Sequence, residues 1–410
     1  VKPSICFVSL NNYAVLAGDA SVAHIGGAEV QQAHLARRLA GRGYRVSFVT
    51  LDHGQDDGVV HDGIRVYKAY AADSGMRGVR FLHPRLTGLC AAMRRADADV
   101  YYQRGIDLET GHVAAWCRRH GRRFIFAVAH DSNCRYDLPT RRGLHERWLC
   151  RYGLRKADTV ISQTEFQRAL LREQFGRESV LVRSCAADPT TGETVATPAA
   201  AGSRQRLLWV GRFSREKRLD LLLELAARCP EIDFPVVGKA NGNSPDAQRL
   251  AARAAELGNV SLIGYVPSHQ MGQHYRTATA LLCTSSAEGF PNTFLEAWSR
   301  GLPVITTVDP DNLIADGGLG AVLSIGEPVG DERYPGVEAA AEALRQFVAE
   351  PDRIARCGAA ARARFMEHHS IDAAADLYAE VIDRLAREAR PRSGRSAKAE
   401  RPVERLADTA

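Results

Sequence analysis

What most constrains this chain is a rhythm: short apolar, β-branched runs alternate with longer stretches of helical spacing. The strand candidates of the first half are 5–10, 45–50, 63–70, 99–105, 123–130, 159–164 and 179–184. Those of the second half are 207–212, 234–240, 260–266, 280–286 and 303–307. Near-continuous apolar strands separated by helices predict parallel sheets covered on both faces. Two such series predict an α/β chain of two doubly wound, Rossmann-like domains. The length agrees, since 410 residues exceed what one core ordinarily holds.

The expected divisions are a first domain over 1–187, a linker over 188–205 and a second domain over 206–370. The linker is rich in Ala, Thr, Pro and Gly and has no periodicity. Ile371, Ala374, Tyr378, Val381 and Leu385 then recur at helical spacing, so an amphipathic helix is expected over 371–389. The charged stretch 390–410 carries no apolar stripe and is expected to be a disordered basic tail.

Bulk properties remove several classes. A net charge of +6 is too sparse for a nucleic-acid binder, though it suits an anionic substrate or membrane surface. The nine cysteines are never three apart, so zinc-knuckle spacing is absent and no metal is expected. Buried free thiols in a reducing cytoplasm are the expectation. The sequence shows no signal-peptide pattern and no apolar run long enough to span a bilayer.

In two doubly wound domains ligands bind at the carboxyl edges of the strands, here facing each other across a cleft. One stretch at such an edge stands out: Ser285-Ser286-Ala287-Glu288-Gly289-Phe290-Pro291-Asn292-Thr293-Phe294-Leu295-Glu296. It joins a buried strand to a helix. Thr293 as helix cap and Glu296 three residues later would make a capping box. Glu296 reads equally well as a ligand carboxylate. Glu288 lies in the turn, where Gly289 lets backbone pass close to a ligand. Two carboxylates can grip two polyol parts of one ligand, and the N–H groups of 290–294 can meet an anion between them.

In this form the Glu-x7-Glu turn resembles that of the retaining nucleotide-sugar glycosyltransferases of family 4, which have the GT-B fold. The resemblance covers most of the chain, with further motifs in family order: Gly26-Gly27 and the helix after them, Ala129-His130-Asp131 after the fifth strand, and the segment 210–226 with Arg212 and Lys217. It implies that Arg212 and Lys217 hold the donor diphosphate, a role that suits two cations at a strand's carboxyl edge. Read alone, they are also ordinary solvated loop charges. Where the family often has Gly after the lysine, this chain has Arg218.

The resemblance further implies that Glu288 contacts the donor sugar and Glu296 the ribose, and that the backbone at Tyr265 and Val266 meets a uracil or guanine base. His130 would lie near the transferred sugar, with Asp131 on the acceptor side; a histidine at a strand end is as often structural. Gly26 and Gly27 would offer N–H groups to the diphosphate or the acceptor, or simply form a loop-to-helix turn. Loop 11–25, with His24, is assigned to acceptor recognition or lid closure. The last helix would cross back to the first domain.

Segment 139–156 holds six Arg or Lys and one Glu, with Leu144, Trp148, Leu149 and Tyr152 at helical spacing. The preferred expectation is a surface helix packing that stripe on the first domain. The alternative is peripheral contact with anionic lipid at the inner face of a membrane, which would favour a lipid-linked acceptor over a soluble carbohydrate. The leading function is transfer of a sugar from a UDP- or GDP-sugar to a hydroxyl acceptor with retention, with no cofactor or metal. A sugar-nucleotide epimerase and a noncatalytic sugar-nucleotide-binding protein are the alternatives on the same fold.

Overall fold

A computed structural model of the chain describes residues 2–18, 26–76, 81–138, 143–189, 204–239, 245–267, 270–328 and 334–388. His24, most of the linker and the tail 390–410 lie outside the described residues.

The first sheet contains β1 (Ser4–Val8), β2 (Arg45–Thr50), β3 (Val59–His61), β4 (Ile64–Lys68), β5 (Val100–Arg104), β6 (Arg123–Ala127), β7 (Thr159–Ser162) and β8 (Val180–Leu181). Its order is 3-4-2-1-5-6-7-8. The second contains β9 (Leu207–Val210), β10 (Phe234–Val237), β11 (Val260–Gly264), β12 (Ala280–Cys283), β13 (Val304–Thr306) and β14 (Gly320–Val322), in the order 11-10-9-12-13-14. All pairings are parallel except the β3–β4 hairpin. That edge hairpin, the short β14 and the two-residue β8 depart from the sequence expectation. β3 and β14 are three residues each and lack a buried run, so neither carries a strand signature.

The first domain's helices are α1 (Tyr13–Ala17), α2 (Gly27–Gly41), α3 (Thr87–Ala96), α4 (Leu108–Arg119), α5 (Leu144–Lys156) and α6 (Glu165–Phe175). The second domain's are α7 (Leu219–Arg228), α8 (Pro245–Glu256), α9 (Gly272–Arg276), α10 (Asn292–Trp298), α11 (Leu313–Gly317), α12 (Val337–Val348) and α13 (Pro351–Arg364), and α14 (Ile371–Arg387) ends the fold. Side-chain caps start several of them. Asp107 makes a capping box with Thr110 at α4, and the Thr164 hydroxyl accepts from the Gln167 N–H at α6.

Each sheet is packed on both faces. Phe7 stacks on Phe48 with ring centroids 4.9 Å apart on one face of the first sheet, beside Leu35 and Leu39 of α2. Met93, Trp116, Leu154 and Leu171 cover the other face. In the second domain Leu221, Leu222, Phe234 and Phe347 fill one face, and Tyr275, Phe294, Trp298 and Phe365 the other.

α14 returns to the first domain. Ala374, Ala375, Tyr378, Val381, Ile382 and Leu385 are buried in the Phe7–Phe48 core. Its entry is pinned at both ends of a short parallel bridge: the Ala186 N–H donates to the His369 carbonyl at 3.0 Å and the Ile371 N–H to the Ala186 carbonyl at 2.9 Å. His369 is fully buried at this crossover, its ring stacked on Phe290 of the glutamate turn. Burial pushes its pKa down to about 3. The ring is therefore neutral, and Nδ1–H donates to the Ser184 carbonyl at 2.8 Å.

Candidate donor and acceptor cleft

Two loops at the carboxyl edge of the second sheet form one rigid unit. The first, after β9, carries Arg212 and Lys217; the second, after β12, carries Glu288. The Ser286 N–H donates to the Glu216 carbonyl at 2.8 Å, and the Thr284 hydroxyl donates to the Lys217 carbonyl at 2.7 Å. Arg218 sits where the resemblance suggests glycine, and its φ of 48° is left-handed. A long side chain is held there because its guanidinium is buried and donates to the carbonyls of Thr284 at 2.7 Å and Ser285 at 3.2 Å.

Lys217 and Glu288 form an ion pair, both side chains largely buried. The Ser285 hydroxyl donates to the same Glu288 oxygen, Oε1, at 2.8 Å. Arg212 is exposed, 3.7 Å from Glu216. The cations and Glu288 thus gather at one edge, with Lys217 neutralised by Glu288.

Glu296 corrects one expectation. α10 starts at Asn292 behind Pro291 and has no side-chain cap, so Thr293 and Glu296 form no capping box. Proline supplies the helix entry instead. Glu296 accepts a hydrogen bond from the Tyr275 hydroxyl at 2.6 Å. Burial pushes its carboxyl above the usual range, while the Tyr275 hydroxyl and the Arg300 guanidinium pull it back. Phe290, Pro291, Asn292 and Thr293 carry the backbone N–H groups between the two glutamates, Pro291 excepted.

The first domain closes directly on this turn. A Cβ on Gly289 would lie 3.2 Å from the Ala129 carbonyl oxygen and 3.3 Å from His130 Cα. The turn therefore sits against the Ala129-His130-Asp131 segment. Gln31 of α2 donates to the Asn292 side-chain carbonyl at 2.6 Å. A Cβ on Gly27 would overlap the Asn292 amide, so glycine there admits the donor-side helix. Gly26 caps α2 with extended backbone.

His130 is exposed, and its Nδ1 accepts from the Ser132 N–H at 3.2 Å. That bond leaves the proton of a neutral ring on Nε2. The Asp131 carboxylate accepts from Gln167 at 2.9 Å, and burial raises its pKa against that bond. Tyr265 is exposed at the end of β11, with the Lys239 ammonium 5.2 Å from its ring centre, and Val266 follows it, half-buried. Among the described residues no cluster of His, Cys, Asp and Glu could hold a metal ion, and no helix is long and apolar enough to cross a membrane.

Segment 139–156, described from Gly143 on, meets its preferred reading in part: α5 packs on the first domain with Leu149 and Tyr152 of the stripe half-buried. α5 buries Cys150, Gly153 and Leu154 against α4, where Gly111 and Gly153 allow close backbone contact. Leu144 and Trp148 face solvent, 83% and 62% exposed. Two small residues, Gly111 and Gly153, set the rotation of this helix, and a stripe of large apolar residues does not reveal that. Sequence reasoning also missed Gln31, Tyr275 and Asp311. Each makes its contact with a residue distant in the chain, and none stands in a local pattern.

Comparisons with known proteins bear on both halves. Residues 26–186 match the glycosyl transferase 4-like domain, and residues 196–364 match glycosyl transferases group 1. A D-inositol 3-phosphate glycosyltransferase of Frankia alni is 32% identical over 174 residues, 38% of this chain and 40% of that protein. The chain spans about two fifths of the length of the first curated relatives it matches. Among solved structures, sucrose-phosphate synthase from Thermosynechococcus elongatus superposes with a TM-score of 0.74 at 19% identity, over 94% of this chain and 100% of that one. Anabaena HepE, solved with UDP and glucose, superposes with a TM-score of 0.69 at 15% identity, over 93% and 100%.

The raised carboxyl of Glu296 has a pH signature. A glutamate with a raised folded-state pKa favours the fold below the ordinary value of about 4.3, and that contribution is lost as pH rises through the raised value. Glu296→Gln removes the titration. The melting temperature of wild type minus that of the variant should therefore fall as pH rises from 4 to 8, whereas a flat or rising difference would contradict the burial described.

Proposed function

We propose that the chain, whose two halves match glycosyl transferase domains, is a GT-B glycosyltransferase that moves a sugar from a UDP- or GDP-sugar to a hydroxyl acceptor with retention of configuration and without a metal. The observation that carries the reading is the Lys217–Glu288 pair joining the loops after β9 and β12, with Glu296 in the helix that follows the second loop. Anabaena HepE, which shares the fold, was solved with UDP, the class of nucleotide proposed here for the donor.

In this reading the donor diphosphate takes Lys217 from Glu288, with Arg212 and the N–H groups of Gly289, Phe290, Asn292 and Thr293 completing its cradle. Glu288, released, accepts from hydroxyls of the donor sugar. Glu296 accepts from the ribose, and the base lies along the backbone of Tyr265 and Val266. Gly26 and Gly27 bring the start of α2 to the diphosphate.

The acceptor hydroxyl attacks the anomeric carbon from the face the diphosphate is leaving. The new carbon–oxygen bond forms as the old one breaks, and the hydroxyl proton passes to the departing phosphate oxygen. His130 donates Nε2–H to a sugar hydroxyl, and Asp131 orients the acceptor. Fixed cations matter because charge grows on the leaving oxygen. Removing one such group typically lowers the rate ~100–1000-fold.

The proposed acceptor is lipid-linked and reached at the cytoplasmic face of a membrane. The exposed Leu144 and Trp148 beside Arg147, Arg151 and Arg155 on α5 support this, since such a face suits anionic lipid. None of the nine cysteines is in a disulfide, as a reducing compartment allows. Wild type should sediment with phosphatidylglycerol vesicles but not with phosphatidylcholine vesicles, and Trp148→Ala should weaken that. Equal behaviour on both vesicles would count against a membrane acceptor.

The direct test of the chemistry is release of diphosphate from sugar nucleotides. Glu288→Ala should lower turnover ~100–1000-fold with little change in melting temperature. A variant that only melts earlier, with its turnover intact, would remove Glu288 from the reaction.

A further inference from the structure

Asp311 lies in the loop between β13 and α11, on the donor domain, outside every motif described above. Its partners are on the other domain. The Asp311 carboxylate accepts from the backbone N–H groups of Glu165 at 2.9 Å and Phe166 at 3.1 Å. These are orphan donors of the first turn of α6, whose own cap, Thr164, serves only Gln167. Arg183 of the first domain lies 3.4 Å from the same carboxylate, whose side chain is only 8% exposed. One domain thus caps a helix of the other, with a negative charge at the positive end of the helix dipole.

The backbone is shaped for this contact. Asp311 and Asn312 both have left-handed φ, 54° and 55°. Asp and Asn tolerate that region better than other side chains with a Cβ. The neighbouring Asp309 does the ordinary local job, accepting from Ile314 and Ala315 of its own domain at 2.8 and 3.0 Å.

What α6 carries gives the contact its meaning. Gln167, on the turn that Asp311 caps, is fully buried and holds the Asp131 carboxylate. Its amide nitrogen also lies 3.7 Å from the position a Cβ on Gly289 would take. The donor turn, the Ala129-His130-Asp131 segment and the start of α6 therefore meet at one point. Asp311 joins the two domains beside that point.

We propose that Asp311 is a positioning residue for sugar transfer: it docks the donor domain on α6 and so sets the Glu288 turn over His130 and Asp131. The proposal rests on the donor-site reading above. Asp311 touches neither donor nor acceptor. Its removal leaves every donor-binding group of the second domain in place and loosens only the relation between the two domains. Small misplacements of reacting groups weigh on the chemical step far more than on binding.

The test compares wild type, Asp311→Asn and Asp311→Ala in the full chain. Asn keeps the left-handed backbone and one acceptor oxygen but loses the charge; Ala loses all three. Binding of UDP and GDP is measured by calorimetry, and release of diphosphate from UDP-glucose and GDP-mannose gives kcat and KM. Hydrogen exchange is followed over the first turn of α6. The expected result is diphosphate affinity and KM within about 3-fold of wild type, kcat lower by ~10–100-fold in Ala with Asn between, and faster exchange at Glu165 and Phe166. Unchanged kcat in a protein that binds diphosphate overturns the role of Asp311 alone. A parallel fall of kcat, affinity and melting temperature also overturns it, since that marks a merely structural cap. A wild type that binds neither diphosphate overturns the donor-site reading and this proposal with it.

Discussion

The arrangement depends on one constraint: two parallel sheets must keep their carboxyl edges facing each other although the chain runs through them one after the other. The return of α14 meets it. The chain leaves the second domain at His369, bridges Ala186 and buries Tyr378 and Ile382 in the first domain's core. The two domains are thus joined at both ends of the second one. The crossover also touches the candidate site, because the His369 ring stacks on Phe290 and its Nδ1–H holds Ser184. A neutral, buried histidine at this point links the glutamate turn to the last strand of the first domain without adding charge to either.

Across the cleft, the joining contacts named among the described residues are mostly polar. Gln31 meets Asn292, Asp311 meets α6, and Gly289 lies against Ala129 and His130. Interfaces of this kind allow domain motion more readily than a broad apolar seam does. Within the donor domain, by contrast, the two site loops are tied by Arg218, Thr284 and the Lys217–Glu288 pair. In the proposed reading, a diphosphate and a sugar hydroxyl replace each member of the pair as the other's partner. A donor that supplies both exchanges one satisfied arrangement for another. A bare anion that takes only Lys217 leaves Glu288 part-buried with the Ser285 hydroxyl alone.

The fold was largely legible because its evidence is periodic. Apolar runs such as Ile5–Val8 and Leu207–Val210 lie in buried strands, and the spacing of Ile371, Tyr378 and Leu385 marks a real helix. The members of the candidate site stood out as residue types at a sheet edge. Their partners were not. Glu296 looked like half of a capping box, yet its oxygen is held by Tyr275, 21 residues away. Asp311 stands in no motif, and its bonds are made across 145 and 146 positions. Such contacts follow from how whole domains dock, and no local spacing encodes that. The stripe on α5 was legible only in part for a related reason: the close approach at Gly111 and Gly153 leaves Leu149 and Tyr152 half-buried and Leu144 and Trp148 in solvent.

The central claim is that the second domain's edge is a nucleoside diphosphate site. Thermal stability in the presence of UDP, GDP, ADP, UDP-glucose, UDP-N-acetylglucosamine, GDP-mannose and NAD tests it most directly, since ligands of the native state raise the melting temperature by mass action. The account predicts a rise with one nucleoside diphosphate and its sugar conjugate. A rise with NAD alone, or with none of the panel, would contradict it.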